Sequence, residues 1–407
     1  MNQEALALAD AQAAAQRIHA EHIVIDSLAP SFVDESALTP AMIEIGRAVQ
    51  AQGGSRPAIK KALAEHLITH CATDPETRDF YIAYWKRSGV TACNHTLYAS
   101  GPPDTALEQT MAAAKRAESL MASLQGQLTL ATEAAQIEAA HREGRHVIMY
   151  NLQNAEPVGA DLDRVETLYQ LGVRSMQLTY NLRTRFGDGC LETNDGGLSR
   201  FGAALIQKMN ERRMIVDLSH ASANTARDAV ACSAQPVLAT HTAARALSGH
   251  PRGLPDDVLK AIADRGGYAG IVILPAFILP AEGDGRAEKL GKPRSWATLD
   301  SVVDHVQHLL NVMGEDHVGI GTDWGKPYYN ALTWTPAMVR PEGRVGFNWV
   351  GWRPQDRFDP NAQTVGLETW DQWPNLTAAM LHRGIPESTV VKIVGANYLR
   401  AMRDICA

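Results

Sequence analysis

Two short apolar runs, each ending on a histidine, constrain this chain more than any other feature. Residues 213–220 read RMIVDLSH, and residues 235–241 read QPVLATH, with a helix-like stretch between them. Each run has the length and apolar content of a buried strand. A strand–helix–strand unit of this kind pairs its strands in parallel. Histidines at matching ends of consecutive parallel strands meet at one mouth, where an α/β barrel builds metal or catalytic sites. His220 and His241 are therefore the first candidate site residues. Each one alone also fits a hydrogen-bonded structural histidine.

The rest of the chain supplies the other strands. Apolar runs at 22–28, 89–98, 146–153, 172–180, 267–274 and 317–323 bring the total to eight. Helical patterns are expected over 3–20, in two stretches within 38–70, and over 74–88, 104–143, 160–171, 201–212 and 299–314. Two more follow from PNLTAAMLHRG and PESTVVKIVGANYLRAMRDI. Residues 183–200 and 276–296, rich in Gly, Pro and charge, read as loops, and 324–366 as a long loop or lid. Strands alternating with helices predict a (β/α)8 barrel in one domain over 1–407. Gln153, Tyr180 and Asp323, with the two histidines, close strands and would share the mouth.

Composition excludes several classes. A net charge of −7 gives no electrostatic footprint for nucleic acid. The five cysteines are scattered without a CxxC pair, so neither a disulfide framework nor a zinc knuckle is indicated. No apolar run is long enough to span a membrane. The N-terminal stretch is Ala-rich and acidic, unlike a signal peptide, which sets a cytoplasmic expectation.

Several stretches resemble the renal (membrane) dipeptidase family of metallopeptidases. They are YQLGVRSMQLTYN, DGGLSRFG, VDLSHAS, ATHTAAR with HPRGLPDD, DHVGIGTDWG, and PNLTAAML with IVGANYLR. The resemblance implies a barrel hydrolase that cleaves dipeptides with two zinc ions, and a homodimer. Its metal ligands are an Asp-Gly-His-Xaa-Asp segment on the first strand, a bridging Glu after the third, and two histidines after the fifth and sixth. His220 and His241 match the last two. On the first strand Asp26 is kept, but Leu28 and Pro30 stand at the His and second Asp positions, and Gln153 replaces the bridging Glu. A neutral amide is a poor bridge between two cations. Tyr180 replaces a substrate-binding histidine. Asp323 matches an Asp that transfers protons, and Arg252 an Arg that clamps the substrate's α-carboxylate.

The expected cofactor is thus one divalent metal at most, zinc by preference, or none. His95, in ACNHTL, is a candidate third ligand if it points into the mouth. Gln153 is a weak ligand or a substrate hydrogen bond, and Asp217 a buried supporting carboxylate. Three functions stay open: hydrolysis of a dipeptide-like amide with one metal, proton-transfer chemistry on a small amino-acid-like substrate, or a non-catalytic paralogue. The expected partner is a small molecule carrying a carboxylate, with neither nucleic acid nor membrane.

Overall fold

The computed structural model describes residues 7–29, 37–54, 56–97, 102–324, 359 and 361–406. Parallel strands form the frame: β1 (Ile25–Asp26), β2 (Ala92–Thr96), β3 (Leu128–Leu130), β4 (His146–Leu152), β5 (Val173–Gln177), β6 (Ile215–Asp217), β7 (Leu238–Thr242), β8 (Tyr268–Ile271), β9 (Ala297–Thr298), β10 (Val318–Ile320) and β11 (Thr364–Val365). The barrel order is β1-β2-β4-β5-β6-β7-β8-β10, with β3 added beside β4. Backbone bonds from Ser27 to Ile320 (2.9 Å) and from Asp323 to Leu28 (2.8 Å) join the first and last strands. The eight expected strands are all present, forming a nearly closed (β/α)8 barrel, though most are shorter than their apolar runs.

Alternation sorts the side chains. Ile25, Ala92, Val147, Met149, Ile215, Leu238 and Tyr268 pack together inside the barrel with Tyr398, Met402 and Ile405 of the closing helix Asn397–Cys406. Tyr398 fixes that helix beneath the strands, meeting the Tyr268 ring at 5.4 Å and taking a 2.7 Å bond from Asn94 Nδ2. Residues of the opposite parity, such as Ile148, Tyr150, Met176 and Val216, join the core shared with the outer helices. Local chemistry starts these helices. Asp74 caps the helix that begins at Pro75, and Ser199 and Ser222 cap the helices after β5 and β6. Among the described residues no helix is long and apolar enough to cross a membrane.

The expected helix over 104–143 is corrected to two helices, Pro103–Ser123 and Ala134–Arg142, with β3 between them. Gln125 and Gly126 both take left-handed backbone (φ 52° and 83°), which ends the first helix. Glu133 and Gln136 form a capping box that starts the second. The stretch 276–296 contains two short helical turns, Pro275–Ile278 and Arg286–Lys289. The closing helix is interrupted by a π-helical turn at Lys392–Ala396. Gly395 lies within that turn because a Cβ there would come 2.0 Å from the Ile23 carbonyl oxygen. The lid expected over 324–366 falls mostly outside the described residues.

Candidate active site

The two opening histidines meet. His220, just past β6, and His241, on β7, bring their Nε2 atoms to 3.0 Å, and both are fully buried. Their other nitrogens are held by neighbours. His220 Nδ1 lies 2.6 Å from Asn181 Oδ1, which only accepts, so that nitrogen carries the proton. His241 Nδ1 lies 3.0 Å from the Thr240 hydroxyl. That hydroxyl donates its proton to Asp217 Oδ2 (2.5 Å), so it accepts from His241. With a proton on one Nε2 this contact is a hydrogen bond; with both protons on Nδ1 the two Nε2 lone pairs face each other and are open to a cation. Burial, with Arg252 adding to it, holds both imidazoles well below the usual histidine range. In the second arrangement the two lone pairs repel unless a cation lies between them. Zinc–nitrogen bonds of about 2.0–2.1 Å can both reach one ion across that gap. A backing hydrogen bond on Nδ1 is the usual support of a metal-binding imidazole.

Asp217 organises this pair. Its Oδ1 accepts from Ser219 N (2.9 Å), Ser219 Oγ (2.7 Å) and Thr240 N (3.0 Å). Ser219 Oγ in turn accepts from His241 N at 3.0 Å. One carboxylate thus sets the turn bearing His220 and the strand bearing His241. His220 itself has left-handed backbone (φ 67°), as does Asp323 at the end of the last barrel strand (φ 55°). Non-glycine residues hold this conformation at a cost, and such sites cluster where function needs them.

The neighbours complete the mouth. The Tyr180 ring stacks on His220 with centroids 4.0 Å apart. Arg252 is 1% exposed. Its Nη2 donates to the His241 carbonyl (2.7 Å), while Nε and Nη1 have no hydrogen-bond partner among the described residues. Burial lowers its pKa, and Cys190, Asp323, Tyr180 and Asp217 act in the opposite sense. A guanidinium remains charged in such a setting. Gln153 lies on the same inner wall and donates from Nε2 to Thr96 Oγ1 at 3.0 Å.

His95 does not join them. It shares the outer face of β2 with Cys93 and Leu97, which pack in the helix-facing core. Burial pushes it down to about 3, with Arg116 and Lys60 on the outer helices adding to this. The expected third ligand is therefore corrected. Alternation on β2 turns Asn94 and Thr96 inward, and His95 outward. Leu28 is fully buried, an apolar side chain where the resemblance implies a ligand, and Pro30 lies outside the described residues. Among the described residues no three His, Cys, Asp or Glu side chains gather to hold a metal. The donor set fits one cation on two histidines, and does not fit a binuclear centre. Asn181, Thr240 and Cys190 also border the pair, and no sequence pattern singles them out. Cys190 Sγ lies 3.4 Å from the Asn181 Oδ1 that orients His220. The cue available for Asn181 was its place one residue after a strand-end tyrosine.

Comparison with known proteins agrees with this architecture. The membrane dipeptidase family (peptidase family M19) matches residues 12–332. The Dipeptidase verJ of Clonostachys rogersoniana is 29% identical over 282 residues, covering 68% of this chain and 60% of that protein. The Dipeptidase aclJ of Aspergillus oryzae is 28% identical over 267 residues, covering 65% of this chain and 53% of that protein. The chain thus spans little more than half the length of these curated relatives. The crystal structure of an amidohydrolase from Pseudomonas aeruginosa superposes with a TM-score of 0.68 at 26% identity, covering 96% of this chain and 98% of that one.

Proposed function

Since the chain belongs to the membrane dipeptidase family, we propose that it is a dipeptidase-like hydrolase. Its substrate is a dipeptide, or a small amino-acid-derived amide, with a free carboxylate. The observation that carries this reading is the buried Arg252 guanidinium beside the His220–His241 pair, with two of its nitrogens unpartnered among the described residues. A buried cation with open donors is costly unless an anion completes it. A substrate carboxylate, taken in the planar two-pronged geometry that suits arginine, is such an anion.

His220 and His241 would hold one divalent ion, zinc by preference. When bound, such an ion acidifies a water and polarises a carbonyl. The chain's own residues do the rest. Arg252 fixes the carboxylate and so places the amide over the histidines. Asp323, whose charge acts on Arg252, would take a proton and pass it to the leaving amine, the role its match to the family aspartate implies. Tyr180 covers His220 and borders the substrate. Gln153 offers its amide to the substrate's polar atoms. The apolar Leu28 favours a second reading, in which the same Arg, Asp and His set moves protons on an amino-acid-like substrate without a metal. The expected homodimer rests on the family resemblance.

Replacing Arg252 with Ala tests the reading. Affinity for dipeptides and for simple amino-acid carboxylates should fall by about 1.5–3 kcal/mol, measured by calorimetry. Unchanged affinity for every carboxylate ligand would remove the clamp. Dipeptide hydrolysis that survives both exhaustive chelation and His241→Ala would remove the metal from the account.

A further inference from the structure

A cavity of about 590 Å³ lies beside the mouth, and none of its described lining residues belongs to the site above. Loops at the mouth end of the barrel build it. Leu247–His250 follow β7, Pro275–Gly283 follow β8, and Arg294 and Ser295 come just before β9. Its volume is that of a pocket for one small molecule.

Two kinds of surface line it. One wall is apolar, from Leu247, Pro275, Ala276, Leu279, Ala281 and Ala362. At the exposed rim stand one cation and one anion, Arg294 and Glu282. Arg294 is held in place there, because its Nε donates to the Glu282 carbonyl oxygen. Its stem lies across Gly283, where left-handed backbone (φ 75°) and a close approach both call for glycine; a Cβ there would come 3.0 Å from Arg294 Cγ. Yet the guanidinium and the Glu282 carboxylate form no ion pair, with each other or with another side chain among the described residues. The other acid, Asp359, is already engaged. Its Oδ2 accepts from Ser295 Oγ (2.7 Å) and its Oδ1 from Asn361 N (2.9 Å). The rim therefore offers one open charge of each sign above an apolar wall. That arrangement complements a zwitterion with an apolar side chain.

The cavity also touches the segment that places Arg252. Ser248 Oγ accepts from His250 N (3.3 Å), and His250 Nδ1 accepts from Arg252 N (3.0 Å). The Phe277 ring, on the turn that lines the cavity, packs on His250 at 5.3 Å, and the Arg252 guanidinium lies over it at 5.5 Å. A guest resting on Ser248–His250 meets the backbone that sets the clamp. We propose that this cavity is a second binding site, for a free amino acid with an apolar side chain, and that its occupant acts on Arg252 through His250. Such an amino acid is what a dipeptide hydrolase releases, so the site makes the reaction sensitive to its own product. That regulatory part rests on the dipeptidase-like reading above, whereas the binding does not.

Calorimetry with L-leucine reads the cavity alone in Arg252→Ala, which lacks the clamp. One leucine should bind per chain there. Adding Arg294→Ala or Glu282→Ala should weaken it about fivefold, the scale of a charge contact at an exposed rim. 4-Methylpentanoate and 3-methylbutylamine, each lacking one of the two charges, should show a similar loss. Should Arg252→Ala not fold, the same rim substitutions are made in the wild type, where each should weaken one leucine site. In kinetics, leucine should lower the wild-type kcat even at saturating dipeptide. Arg294→Ala and Glu282→Ala should match wild type without leucine and keep their kcat when it is added. No leucine bound outside the clamp, or binding that both rim substitutions leave intact, overturns the site; dipeptide turnover then leaves the hydrolase reading standing. Leucine that raises KM alone overturns the link to Arg252. Leucine bound at the rim with no dipeptide turnover keeps the site and overturns the hydrolase reading. Neither binding nor turnover overturns both.

Discussion

Two residues at the mouth, His220 and Asp323, keep left-handed backbone although neither is glycine. Such geometry costs on the order of 1–2 kcal/mol per residue. Asparagine tolerates it nearly as well as aspartate, which makes Asp323→Asn a clean probe. That variant should fold with an unchanged melting temperature and lose about 10²–10⁴-fold in kcat, through loss of proton transfer alone. A drop in melting temperature with kcat intact would make Asp323 structural. At this scale the sequence was partly legible. His220 and His241 stood out because each closes an apolar run, and Arg252 through family resemblance. Asn181 and Thr240 did not, because the partner that orients an imidazole is set by three-dimensional contact. His95 was misplaced because its strand, ACNHT, is buried on both faces, so apolar content did not reveal which parity faces inward.

At the scale of elements, one polar contact locks two outer helices together and another ties the barrel seam to a helix. The first helix, Leu8–Glu21, docks on Trp373–His382 through His19. Its Nε2 lies 2.8 Å from Thr377 Oγ1, its ring packs on Trp373 at 5.5 Å, and a Cβ at Gly89 would collide with it. Burial pushes the His19 pKa down to about 4, below the value near 6.5 expected when unfolded. Between those values the unfolded chain binds the additional proton, so stability rises with pH. The contribution is complete above about pH 6.5 and is lost progressively down to about pH 4, on the order of 3 kcal/mol in all. Urea midpoints at pH 7 and pH 4.5 should show this loss, and His19→Gln should shrink it by a comparable amount. An equal pH slope in both proteins would assign the effect to other groups.

The second contact is Asp26, which accepts from Thr322 N (2.9 Å), Thr322 Oγ1 (2.7 Å), Trp370 Nε1 (2.9 Å) and Trp373 Nε1 (3.3 Å). It ties the first strand to the last and to the closing helices. Asp26→Ala strands several buried donors and should cost about 3 kcal/mol or more, read from urea unfolding. A cost under about 1 kcal/mol would mean the barrel seam does not depend on it. The helix boundaries were less legible than the helices. The Ala-rich run over 104–143 hid β3, because the left-handed turn at Gln125 and Gly126 is a two-residue signal inside a long helical pattern.

At the scale of the whole molecule, the barrel was legible because eight apolar runs alternate with helices, and each run ends near one mouth. The site was legible only in part, since it departs from the family pattern where the chemistry is decided. Leu28 is apolar and buried, Gln153 is neutral, and His95 faces the helices, so two histidines remain to hold a cation, beside an arginine suited to a carboxylate. The reading proposed above gives this pair one divalent ion per chain at most. Metal content of the purified protein, measured by plasma mass spectrometry for wild type and His241→Ala, tests it most directly. About one divalent ion per wild-type chain is expected, lost together with dipeptide hydrolysis in the variant. Two ions per chain, or none in a protein that still hydrolyses dipeptides, would contradict it.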